Sequence, residues 1–364
     1  MSRYNVLNNN NIGNVSQDKL DISKVIFGAG VFSIRYNPIK EVRPLESVHK
    51  ALKLGINGFD TNPYYGNSEE ILDKLDISKV IFGAGVFSIR YNPIKEVRPL
   101  ESVHKALKLG INGFDTSPYY GNSEEILGNA LESLRSEFPR STYYIFTKAG
   151  RYGHDKKDFD YSAKRVRESV RESCRRLKTD YLDIVFAHDV EFVELEKVIE
   201  DGGILPELFK LKEEGIIKYV GISDYIEKFK NSVNVKYVLN ASPLSMGLLC
   251  EIDPPEWHPA SEELCEIVKQ CTKIAKDNNL NISKLGIDFS LDWDKADATV
   301  VGLSNMDEVD DVVSIFNRVM ARKNGEKDHC LSDLEIKVYE KINQLLLPYH
   351  NWEWESPPPP SITL

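Results

Sequence analysis

A (β/α)₈ barrel of the α/β class is the fold the sequence predicts, and three observations point to it. Apolar runs of strand length alternate with amphipathic helical patterns from residue 78 to residue 320. The strand runs are apolar on both faces, as strands of a covered parallel sheet must be. Chemistry-bearing residues recur at the carboxyl ends of successive runs, where barrels of this class carry their sites. The 364 residues allow one such barrel with additions.

The first element is SKVIFGAG (78–85), a buried strand ending in glycines. Pro99 then opens a helix with Leu100, Val103, Ala106 and Leu107 at helical spacing and Gly110 closing it. INGFDT (111–116) completes a βαβ unit. YYIFT (143–147) is the third strand. Ser162 is placed to cap a helix that lines up Val166, Val170, Cys174 and Leu177. YLDIVFA (181–187) is the fourth strand. A helix over 205–214 stops at Gly215 before KYVGIS (218–223), and VKYVLN (235–240) follows. A helix over 262–278, the strand TVVG (299–302) and a helix over 307–320 complete the alternation. That makes seven strands where the barrel needs eight. The link after residue 223 is also short, leaving only 224–234 for a crossover.

A near-identical tandem duplication precedes the barrel. Residues 18–72 and 73–127 are the same 55-residue segment, differing only at Asn62 and Ser117. Solenoid repeats keep a pattern and vary within it, so two nearly identical copies are a duplicated βαβ segment and not a repeat fold. The expected organisation is a flexible tail over 1–17, the first copy over 18–72 outside the barrel, a barrel over 73–352 and a Pro-rich tail over 353–364. The second copy runs directly into the third strand and supplies the working residues. In an alternative, residues 56–60 of the first copy add the eighth strand and bring Tyr65 to the mouth.

Charge and composition narrow the function. Forty-six basic against 56 acidic residues leave a net charge of −10, with no basic cluster for nucleic acid or an anionic membrane. No apolar run approaches the roughly 18 residues of a membrane span. The N-terminus lacks signal-peptide features, and five cysteines without a CxxC fit a reducing, cytoplasmic compartment. No metal site is expected.

The densest polar and aromatic cluster is Asp115-Thr116-Ser117-Pro118-Tyr119-Tyr120-Gly121, after the second strand. Lys148 and His188 end the next two strands. A tyrosine has an ordinary pKa near 10 and is a poor acid or base at neutral pH. A nearby Lys cation lowers that pKa, an Asp holds the Lys in place, and a neutral His can donate to a carbonyl oxygen.

GINGFDTSPYYGNSEEILG, FTKAGR, SVRESCRRLKTDYLDIVFAHD, GIIKYVGISDY and TVVGLSNMDEV together resemble the aldo-keto reductases, nicotinamide-dependent (β/α)₈-barrel oxidoreductases. The resemblance spans residues 79 to about 320. It implies Tyr120 as acid/base, Lys148 and Asp115 as its tuners and His188 as substrate orienter. It further implies cofactor contacts at Ser223, Asp224, Ser242, Gly302 and Ser304, with substrate at Gly83, Gly85 and Tyr119. LNASPLSMGLL and FAHDVEF look most like the fungal NAD-linked members that oxidise the anomeric carbon of an aldose such as D-arabinose to a lactone. Against the family pattern the chain lacks the sixth strand, and it departs at Asp224, where an Asn is usual, and at Ala241, where an aromatic often stacks on nicotinamide. Leu303 and Val309 stand where basic residues hold the 2′-phosphate of NADP, so NAD is the expected cofactor ahead of NADP. The implied partner is a small sugar or aldehyde, and a monomer is expected.

Two rivals follow from the same residues. Gly83-Ala84-Gly85 after a strand suggests a doubly wound dinucleotide fold, but Ser88 takes the third glycine position and Asn92-Pro93 follows where a helix should open. A barrel short of a strand is alternatively a catalytically impaired, cofactor-binding module.

Overall fold

The computed structural model describes residues 77–88, 98–153, 155–190, 193, 198–223, 238–254, 258–294 and 296–350. The tail over 1–17, the first copy over 18–72 with its Tyr65, Asp224 and the tail over 353–364 lie outside these residues. The described residues divide into two compact units, one within Met1–Ala241 and Asp294–Val309, the other within Ser242–Trp293 and Asp310–Leu364.

The first unit holds seven parallel strands, β1 (Val80–Gly83), β2 (Gly113–Asp115), β3 (Tyr144–Ala149), β4 (Leu182–His188), β5 (Ile217–Ser223), β6 (Leu239–Ala241) and β7 (Ala298–Gly302). Their order is β5-β4-β3-β2-β1-β7-β6. The first strand therefore pairs with the last, in register from Val80 with Thr299 to Gly83 with Gly302. A doubly wound sheet reverses its strand order near the middle, whereas a barrel keeps chain order around a ring. Chain order is kept here, so the fold is of the (β/α)₈-barrel class. Residues 224–237, where the missing strand was expected, are outside the described residues.

Helices α1 (Pro99–Lys108), α2 (Ser123–Ser133), α3 (Ala163–Arg176) and α4 (Ile204–Glu213) connect the first five strands. Pro99 occupies the first turn of α1, and Gly110 follows its end at φ 86°, a left-handed value that glycine takes without Cβ strain. The core face of α1 is Ser102, Val103, Ala106 and Leu107, not the one expected, because Leu100 is 43% exposed. A residue in the first turn has no preceding turn beneath it, so spacing alone misplaces it. The Ser162 hydroxyl accepts from the Arg165 N–H at the start of α3. Phe82, Phe114 and Phe146 of the first three strands are fully buried, with Phe82 and Phe114 ring centres 5.5 Å apart.

The second unit is helical. It contains α5 (Glu262–Asp277), α6 (Ile282–Asp292) and α8 (Asp333–Leu346), and α7 (Met306–Lys323) begins in the first unit and runs into it. Leu264, Val268, Cys271, Ala275, Leu285, Val338 and Ile342 are buried together there. No described helix is long and apolar enough to cross a membrane.

Candidate active site

The site is set by strand register. Asp115 lies level with Phe146, and Lys148 stands two residues further along the same strand. Lys148 lies level with Phe186, and His188 stands two residues beyond that. His188 in turn lies level with Ser223. Side chains two apart on a strand share a face. A stagger of two residues from β2 to β3 and again from β3 to β4, with Ser223 level with His188, therefore delivers Asp115, Lys148, His188 and Ser223 to one face at the carboxyl ends of the sheet.

Lys148 is buried and donates to both Asp115 oxygens, at 2.6 and 2.7 Å, and to the Thr116 carbonyl at 3.0 Å. Its Nζ lies 5.0 Å from the centre of the Tyr120 ring. Burial pushes the Asp115 carboxyl above its ordinary value, and the Lys148 charge works against that rise. Burial pushes the Tyr120 phenol up to about 12, with Lys148 pulling down and Asp115 pushing up. The lowered tyrosine pKa expected from charge counting is thus not met. Lys148 acts in the expected direction, but loss of water around the phenolate outweighs it.

His188 packs edge-on against Tyr120, ring centres 6.2 Å apart, and against Tyr119 at 5.9 Å. Burial holds its pKa down to about 3, against the pull of Asp189, so the imidazole is neutral at physiological pH. A neutral imidazole offers one N–H donor and one acceptor nitrogen. A phenol, its ammonium partner and a neutral imidazole brought together in this way can move a proton to or from a substrate oxygen and orient that oxygen.

Three residues were given no role from sequence. Arg151 makes a close ion pair with Asp189 and donates to the Tyr119 hydroxyl at 3.1 Å. The Ser117 hydroxyl lies 3.5 Å from His188 Nδ1. Arg151 follows the end of β3 by two residues and Asp189 follows β4 directly, close behind Lys148 and His188 within those strands, and that position was the available signal.

The remaining predicted residues are spread more widely. A Cβ on Gly85 would meet the Tyr120 ring at 3.2 Å, so this glycine makes room for the tyrosine. A Cβ on Gly83 would meet the Val301 carbonyl of the neighbouring strand at 3.1 Å. Tyr119 is buried under the Arg151 guanidinium, 4.2 Å above its ring. Ser242 belongs to the second unit and takes a left-handed φ of 55°.

The aldo/keto reductase family model matches residues 24–75 and 79–231, more than half of the chain. The chain belongs to the aldo/keto reductase family. Two relatives align along most of their length. L-galactose dehydrogenase of Arabidopsis thaliana is 36% identical over 75% of this chain and 94% of its own. D-arabinose 1-dehydrogenase of Saccharomyces cerevisiae is 34% identical over 78% of this chain and 95% of its own. Among solved structures, the glycerol dehydrogenase of Gluconobacter oxydans matches with TM-score 0.52 at 20% identity, over 78% of this chain and 96% of that one. An aldo-keto reductase of Bacillus halodurans matches with TM-score 0.51 at 22% identity, over 75% and 95%. These structures agree in fold. Family membership makes the chain an oxidoreductase of the nicotinamide-dependent kind.

The start of α7 carries a carboxylate among its cap contacts. Glu308 accepts from the Ser304 N–H at 2.6 Å and from its hydroxyl at 3.0 and 3.1 Å, and Asn305 accepts from the Glu308 N–H at 3.0 Å. The first turn of the helix is thus already supplied with an anion of its own. A carboxylate repels a phosphate placed beside it. Leu303 and Val309 are buried apolar residues and present no charge.

Proposed function

We propose that this chain is an NAD-linked dehydrogenase that oxidises the anomeric carbon of an aldose such as D-arabinose to the lactone, with Tyr120 as the general acid/base. The observation that carries the reading is the buried Asp115–Lys148 pair beneath the Tyr120 ring, facing a neutral His188. Two relatives named as sugar dehydrogenases, at 36% and 34% identity, support the substrate class. The Glu308 carboxylate at the start of α7 supports NAD over NADP.

Bound nicotinamide would supply the two-electron acceptor. Ser223 shares the face of the site and, with Asp224, would hold the nicotinamide end, while Gly302, Ser304 and Glu308 would hold the adenosine end. The protein's own part is proton chemistry and orientation. Tyr120 takes the proton of the anomeric hydroxyl as the carbonyl forms. Lys148 stabilises the phenolate as it develops, and Asp115 keeps the ammonium in place. His188 donates to the oxygen of the reacting carbon, and Tyr119, with the Gly83–Gly85 turn, forms the adjoining wall.

The test is NAD-dependent oxidation of D-arabinose, followed by absorbance of the reduced cofactor, for the native chain and for Tyr120→Phe. The variant should lose about 10²–10⁴-fold in kcat. Turnover retained in Tyr120→Phe would overturn the assignment of Tyr120. Cofactor binding without turnover in the native chain would favour the binding-module reading.

A further inference from the structure

The acid/base reading leaves one charged pair at the site unused. Arg151 follows the end of β3 by two residues, and Asp189 follows β4 directly. The Arg151 guanidinium is committed to the protein. Nη1 pairs with Asp189 Oδ2, Nη2 donates to the Tyr119 hydroxyl at 3.1 Å and Nε to the Gly153 carbonyl at 3.2 Å. The other carboxylate oxygen, Oδ1, is differently placed. Among the described residues its polar neighbour is His188 Nε2 at 3.5 Å, beyond the usual length of an N–H···O bond. The Arg151 side chain is 6% exposed and that of Asp189 is 18% exposed, so the carboxylate is the member of the pair that solvent reaches.

The backbone holds Asp189 there against its preference. Its φ is 51°, a left-handed value that an L-residue keeps only when its surroundings impose it, as happens at binding and catalytic sites. The Tyr161 hydroxyl supplies the constraint, donating to the His188 carbonyl at 2.5 Å and to the Asp189 carbonyl at 2.9 Å. Burial pushes the Asp189 carboxyl pKa up, but His188, Arg151 and Lys148 together hold it below its ordinary value. The group is therefore a carboxylate at neutral pH, and a carboxylate can only accept. One of its oxygens is matched to a cation and the other calls for a donor.

The donor follows from the neighbouring ring. His188 Nδ1 faces the fully buried Ser117 hydroxyl, which leaves Nε2 on the side of Asp189. The imidazole that would hold the reacting oxygen and a charged acceptor thus stand 3.5 Å apart. Oxygens on adjacent carbons of a sugar are separated by a similar distance. An aldehyde with a hydroxyl on the next carbon can satisfy both groups, whereas one without it leaves the Asp189 oxygen desolvated and unpaired.

We propose that Asp189 is a specificity residue whose Oδ1 accepts the hydroxyl on the carbon next to the reacting one, so that the site selects aldoses and other α-hydroxy aldehydes over aldehydes lacking that hydroxyl. Arg151 keeps the carboxylate ionised and aimed. The inference rests on the reading of His188 as the holder of the reacting oxygen.

Substrates that differ only in that hydroxyl test it. D-arabinose and 2-deoxy-D-ribose form such a pair for oxidation, and glycolaldehyde and acetaldehyde form one for reduction with the reduced cofactor. In the native chain kcat/KM should be at least about 10-fold higher for the hydroxylated member of each pair. Asp189→Asn should lower kcat/KM by about 10-fold or more for the hydroxylated members and change it little for the others, so that the ratio collapses. A pair serving only the fold would lower both members alike. Should Asp189→Asn fail to fold, the double variant Arg151→Met, Asp189→Asn, which leaves no member of the ion pair charged, enters the same comparison. Equal kcat/KM within each pair in the native chain, or a ratio unchanged by the variant, would overturn the proposal. Sugar oxidation indifferent to the 2-hydroxyl would remove this inference and keep the dehydrogenase reading. A collapse seen with the two aldehydes in a chain inert to sugars would keep the inference and remove that reading, and a chain inert to all four would remove both.

Discussion

Replacing Lys148 with methionine tests the electrostatics of the site through stability. Its Nζ bridges both oxygens of Asp115, and both side chains are about nine-tenths buried. Methionine has a similar length but no charge, so the variant leaves a carboxyl group in a site without a cation. Breaking a buried pair from one side costs about 3–5 kcal/mol, whereas removing both charges costs far less. At roughly 2–4 °C per kcal/mol, the single variant should melt roughly 6–20 °C lower at pH 7. Adding Asp115→Asn should recover much of that loss. The pH dependence has a definite sign. Burial already raises the Asp115 pKa, and without Lys148 it rises further. The folded variant then binds a proton more tightly than the unfolded chain, so its stability falls as pH climbs from the unfolded value towards the folded one. The penalty at pH 7 should therefore shrink at pH 5. Calorimetry of the native chain, the single variant and the double variant at both pH values checks this. A single variant no less stable than the double, or a penalty that grows on acidification, would refute the reasoning.

The remaining predictions concern catalysis and architecture. With the phenol near 12, only about one Tyr120 in 10⁴ is phenolate at pH 8, so sugar oxidation should speed up steadily with pH through the alkaline range. A pH–rate profile that is flat above pH 7, with chemistry rate-limiting, would count against Tyr120 as base. NAD should be preferred to NADP in kcat/KM, and Glu308→Lys should narrow the preference by replacing the repelling carboxylate with a cation; an unchanged ratio would remove Glu308 from cofactor choice. Deleting residues 18–72 should leave the melting temperature the same or higher if the first copy is appended to the barrel. Unfolding on deletion would instead assign that copy a place in it.

Most of the sheet was legible because each strand is a short apolar run bounded by polar or glycine-containing segments, as at VIFG and LDIVFAH. Asp115, Lys148 and His188 were legible because a parallel sheet exposes the carboxyl ends of its strands. Helix α2 was missed: its first turn, Ser-Glu-Glu, reads as part of the polar loop, yet Glu124 is buried against Arg176 and Thr147. The helices α6 and α8 were also missed, although Asn281 and the Ser332–Glu335 pair are cap signals in plain view. The pairing of Arg151 with Asp189 joins residues 38 apart and depends on two loop conformations that no local pattern encodes. Tyr120 failed for a different reason. Its charged neighbours were countable in the sequence, but the depth of its burial was not.

The two-residue stagger from Asp115 to Lys148 to His188 makes the chain unequally tolerant of length changes. One residue gained or lost inside β3 ahead of Lys148, or inside β4 ahead of His188, would carry that side chain to the opposite face of the sheet. The same change in a connecting loop leaves the parity untouched, because each strand is held by its neighbours' backbone. Insertions and deletions should therefore be tolerated best in the segments between strands, and the 55-residue duplication fits this, since its second copy begins at Asp73, ahead of β1 at Val80. A catalytic constellation registered by parity in this way can survive large genetic accidents upstream while remaining vulnerable to a single lost codon within a strand.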